Sequence, residues 1–178
     1  MTFIINAAKN WYVEESILFS KIREFVNSGF FAFYITAMLW AFMTPWLGSV
    51  IDAYGGVRIY EMTEELMKSL ACWFGAPFAI FSTLVFAIGE MVQYVQDYGP
   101  RFDEVGLFSE YFWFRAWCVV DHMTYLLIHL IGWKMASKHE SIFVRIQLRT
   151  SAYMIAMLFH MFHNQFLGKW MLWNVFVN

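Results

Sequence analysis

Apolar residues along the chain gather into four long runs, and the polar stretches between them are short. The first run, residues 28–51, has no charged side chain and is long enough to cross the roughly 30 Å of hydrocarbon in a bilayer. Pro45 predicts a kink or thinning near its far end. The second run, residues 69–95, is interrupted by Pro77 and Glu90. The third, 111–135, carries Arg115, Asp121, His122 and His129. The fourth, 151–177, is weakened by His160, His163, Asn164, Gln165 and Lys169.

Ahead of these runs, residues 11–26 place Trp11, Leu18, Ile22 and Phe25 on one side of a short helix, the pattern of a segment lying in a membrane interface. Residues 52–68 are polar, start at the turn signal Gly55-Gly56 and contain Glu61, Glu64 and Glu65, so they read as a short surface helix. Gly99-Pro100 marks a loop after the second run. Lys134, Lys138, Arg145 and Arg149 make a basic connection before the fourth. Tyr and Trp recur near the proposed ends, as aromatic belts do. The expected fold is an all-α integral membrane protein. One membrane domain, residues 1–178, forms a bundle of about four transmembrane helices preceded by a short amphipathic interfacial helix.

Composition supports this reading. Apolar residues make up 60 % of the chain and charged residues 15 %, against about 45–50 % and 25 % in soluble domains. A chain of 178 residues has too much surface for its volume to hide that excess from water. The excess is expected to face lipid or other membrane subunits. A formal charge of −2 without a basic run excludes nucleic acid as a partner. Cys72 and Cys118 lie in apolar stretches without metal-type spacing and read as small buried hydrophobes. The acidic residues among the first 26 do not fit a cleavable leader. The basic connection weakly favours the cytoplasmic or matrix-like side.

Small and polar residues recur at helical spacing. Ala71, Gly75, Ala79, Thr83 and Ala87 repeat every four residues, a helix-packing stripe that permits close backbone approach. Arg115, His122 and His129 repeat every seven, with Tyr125 and Gly132 beside them. Ala152, Ala156, His160, Asn164 and Gly168 repeat every four. Counted from the loop between the second and third runs, Glu90 and Arg115 lie at similar depth. An unpaired charge there costs roughly 2.5–3.5 kcal/mol even on insertion scales. A structural ion pair between Glu90 and Arg115 is therefore expected.

The histidines are the candidate chemistry. His122 and His129 share a face but stand about 10 Å apart along the axis, at 1.5 Å per residue. His160 and His163 are close enough to converge. Depth counting pairs His122 with His163, an arrangement suited to haem or pigment ligation, with His129 and His160 as substitutes. A metal held with Glu90 or Asp121 is an alternative. So are a proton path and plain hydrogen-bonded glue between helices. Serine elbows, phosphate loops and zinc-protease helix motifs are absent, and the histidines do not form the clustered boxes of a di-iron desaturase.

The function expected from these features is a non-catalytic accessory subunit of a larger membrane complex. An energy-transducing assembly of a bacterial or mitochondrial inner membrane is the setting they suggest. The alternatives are a haem- or pigment-binding electron-transfer subunit and a small channel or transporter.

Overall fold

A computed structural model describes Ile17 and residues 20–24, 29–55 and 60–168. Most of the expected interfacial helix, residues 11–26, and residues 169–177 of the fourth run lie outside the described residues. Those described are helical, with no strand among them. The helices are α1 (Phe30–Gly55), α2 (Tyr60–Ala71), α3 (Ala76–Glu104), α4 (Phe108–Ala136) and α5 (Ile142–Phe162). A single 3₁₀ turn, Cys72–Phe74, follows α2, and a wide helical turn, His163–Gly168, extends α5. Three segments are long and apolar enough to cross a membrane: Ala32–Val50, Ala76–Glu104 and Ile142–Phe166.

The boundaries differ from the sequence expectation where turn chemistry decides them. The second run does not begin a helix at residue 69. Gly75 adopts φ 110°, in the region that favours glycine, and its N–H closes the 3₁₀ turn onto Cys72 O at 3.2 Å. A new helix then starts with Pro77 in its first turn, where a missing N–H costs nothing. Ala71 therefore belongs to α2, whereas Ala79, Thr83 and Ala87 are buried along α3. The stripe spans two elements.

Helix α3 also runs through Gly99-Pro100, because a proline in the last turn removes only one hydrogen bond. Gly106, at φ 73°, then reverses the chain within residues 105–107. The basic connection is shorter than expected, since α5 starts at Ile142 and takes up Arg145 and Arg149. The Arg149 guanidinium lies 3.7 Å from the centre of the Trp133 ring, which anchors the second turn of α5 to α4.

The larger correction concerns α2. Its sequence suggested a surface helix, but it sits in the middle of the bundle and touches every other helix. Thr63, Glu64, Glu65, Met67, Lys68, Ser69 and Ala71 are buried, while Met62 and Leu66 point outward. Its amphipathicity is inverted. Trp40 of α1 donates to Met67 O at 3.2 Å and stacks edge-on against Phe74 and Phe78, closing an apolar cluster with Ala37, Ala79 and Leu126.

The whole molecule repeats that inversion. Large apolar side chains cover the outside, among them Phe42 at 65 % exposure and Trp113 at 69 %, whereas carboxylates and histidines fill the centre. At the α4–α5 contact, a Cβ on Gly132 would collide with that of Ala152 and meet Leu148 O at 3.3 Å. Gly132→Val is expected to cost about 1–3 kcal/mol by overpacking. Thermal unfolding in detergent measures this, and an unchanged midpoint would mean that α4 and α5 part freely.

Candidate active site

Two adjacent glutamates of α2 face different pairs of histidines that share His160, and this division organises the site. Glu65 is fully buried and accepts from three donors: Lys68 Nζ, His160 Nδ1 at 2.8 Å and His129 Nε2 at 2.9 Å. Lys68, one turn later on α2, also donates to His122 Nδ1 at 3.0 Å. An ammonium has no lone pair to offer, so His122 Nδ1 is the acceptor and its proton sits on Nε2. That Nε2–H donates to Glu90 Oε2 at 2.8 Å.

Glu64 has a different environment. It is 1 % exposed, and its Oε2 has no hydrogen-bond partner among the described residues. The oxygen stands 3.7 Å from His160 Nε2 and 4.0 Å from His122 Nδ1. Because His160 gives its Nδ1–H to Glu65, an uncharged His160 ring directs its lone pair at Glu64. Outer carboxylates thus set both imidazoles, as carboxylates do behind metal ligands.

Glu64, Glu90, His122 and His160 line a cavity of about 440 Å³, together with Tyr94, Tyr98, Tyr111 and Asn164. A second cluster lies on its wall. Cys118 Sγ is 3.6 Å from His163 Nε2, and His163 Nδ1 is 3.1 Å from Asp121 Oδ2.

Among the residues singled out by sequence, Glu90 and Arg115 come together, with Arg115 Nη2 at 3.5 Å from Glu90 Oε2. Arg115 also lies 3.9 Å from the centre of the Tyr94 ring. His122 meets His160, with ring centres 5.3 Å apart, whereas His163 sits beside Cys118 and Asp121. The early start of α5 moves the turn toward residue 139, which draws the partner of His122 toward the start of that helix. His129 stands on the far side of Glu65. Sequence reading missed Glu64, Glu65 and Lys68. The signal was present in Met62 and Leu66, apolar positions opposite the charged face, in a chain whose other helices also turn polar residues inward.

Arg115→Met is expected to cost about 3 kcal/mol, because Glu90 loses its cation. Replacing both residues, Glu90→Leu with Arg115→Met, should not restore full stability, since His122 Nε2–H then has no acceptor, a loss of about 1–3 kcal/mol. Chemical unfolding of the three variants measures this. Wild-type stability in the double variant would show that His122 does not depend on Glu90.

No family model, curated protein or solved structure matches this chain.

Proposed function

We propose that this chain is a membrane-embedded hydrolase, with α1, α3, α4 and α5 crossing the bilayer and α2 enclosed among them. The observation that carries the reading is the bare Glu64 carboxylate oxygen facing two oriented imidazoles inside a cavity. Such an arrangement binds and deprotonates water. The exposed apolar side chains support immersion in lipid, because monomers in water rarely expose so much.

The reaction proposed is cleavage of an amide or ester bond in a membrane substrate whose scissile carbonyl reaches the cavity. Water between Glu64 and His160 attacks the carbonyl carbon, and Glu64 takes its proton. The bond to the leaving nitrogen or oxygen breaks, and the proton passes from Glu64 to that atom. The Lys68 ammonium, beside His122, offsets negative charge as it develops. Haem or pigment ligation by His122 with His163 has less support, because His163 lies beside Cys118 and Asp121 and the ring nearest to His122 is that of His160.

The test reconstitutes the purified chain in lipid vesicles with a panel of transmembrane peptides and lipid esters, followed by mass spectrometry of products. Cleavage abolished by Glu64→Gln supports the reading. Absence of cleavage across the panel counts against it.

A second reading, an accessory subunit of a larger membrane complex, draws on the exposed stripe Trp113, Trp117, Val120, Leu127 and Ile131 of α4, an aromatic-rich contact face. Recovery of the chain from its native membrane as a lone monomer would remove that support.

A further inference from the structure

We infer that Glu64, His122 and His160 form a binding site for one divalent transition-metal ion of the zinc class. The inference rests on the hydrolase reading and specifies what activates the water. One ligand atom from each of the three residues lies within 4.8 Å of the other two, and all three residues are buried. Two imidazole nitrogens and one carboxylate oxygen are the donor set of a catalytic zinc site with an open fourth position. The same set excludes magnesium and calcium, which take oxygen ligands.

Three further observations point to a cation. Glu64 Oε2 is an acceptor with no donor, held away from solvent. Each histidine has its other nitrogen fixed by a carboxylate, His160 by Glu65 and His122 by Glu90. These are the supports that orient metal ligands and raise their basicity. The three residues also border one cavity.

Metal–ligand bonds of about 2.0–2.2 Å place tetrahedral ligand atoms roughly 3.3–3.5 Å apart. Glu64 Oε2 is 3.7 Å from His160 Nε2 and 4.0 Å from His122 Nδ1, so the carboxylate must close by a few tenths of an ångström on His160 and by more on His122, and the two imidazoles must draw together as well. One group competes with the ion. Lys68 Nζ occupies the His122 Nδ1 lone pair at 3.0 Å and must release it, keeping its bond to Glu65. With the ion bound, Glu64 becomes a ligand, and the ion rather than the carboxylate acidifies the water.

The test titrates cobalt(II), which substitutes for zinc and absorbs visible light, into chelator-treated protein in detergent, with circular dichroism confirming the fold of each variant. The expected result is one equivalent bound. Affinity should fall at least 100-fold in Glu64→Gln and in His160→Gln and rise about tenfold in Lys68→Met, where the competitor is gone. Absence of stoichiometric uptake by both folded wild type and Lys68→Met would overturn the site, as would uptake indifferent to Glu64→Gln and His160→Gln. Hydrolysis by chelated protein without uptake overturns the metal alone and leaves the hydrolase reading intact. Uptake without hydrolysis of any substrate does the reverse.

Discussion

Glu65→Ala is expected to lower stability by about 3–5 kcal/mol, enough to unfold the bundle or leave it partly assembled. Among the described residues, Glu65 is the acceptor that joins Lys68, His129 and His160 at one point, and so ties α2 to both α4 and α5. Removing it leaves a buried ammonium without its counter-charge and two imidazole N–H groups without acceptors. Each orphaned donor costs about 1–3 kcal/mol. Glu65→Gln should cost less, because its remaining carbonyl oxygen can still accept from one or two of these donors. Lys68→Met should also cost less, because Glu65 keeps both histidines. Unfolding by denaturant in detergent ranks the three variants. A loss under 1 kcal/mol in Glu65→Ala would mean that the helices hold together without this network.

Glu64→Gln should behave in the opposite way. Hydrolysis is expected to fall about 10²–10⁴-fold, the usual contribution of a positioned proton acceptor, and to fall as well where Glu64 acts by holding the ion that acidifies the water. The thermal midpoint should stay the same or rise. The substituted oxygen has no hydrogen-bond partner to lose, and an amide avoids burying a carboxylate near the charge of Glu90. A site that destabilises the fold where it performs chemistry is a common trade. Equal loss of stability in Glu64→Gln and Glu65→Ala would place both residues in the scaffold. Paired measurements of activity and melting on the same preparations decide the matter.

These two adjacent residues also mark the limit of what the sequence discloses. Helices α1 and α3 were legible because uncharged runs of twenty or more residues have few other uses. The inward stripe of α4 was legible because Arg115, His122 and His129 recur every seven residues between lipid-type side chains. Helix α2 was not legible, because its composition is that of a soluble surface helix. What reverses its orientation is the demand of His122, His129 and His160 for acceptors, and that demand appears only when the helices stand together. The break at Gly75 was hidden for a similar reason. A small residue at the fourth position of a repeat fits a continuous stripe as well as it fits a turn. The alignment of α5 on α4 depended on the turn at residues 137–141, and loop midpoints inferred from charge place it too late.

The shortness of α2 has a consequence for the membrane itself. Twelve residues give about 18 Å of helix, a little over half of the roughly 30 Å hydrocarbon layer. The cavity occupies the half that holds the start of α2, and neither Glu65 nor His129 borders it. Further along α4 and α5 from the cavity, Gly132, Ala136, Ala152 and Ala156 are buried. In the membrane placement proposed above, the cavity brings water about halfway down the bundle, and this packed half lies beneath it as the floor of a well.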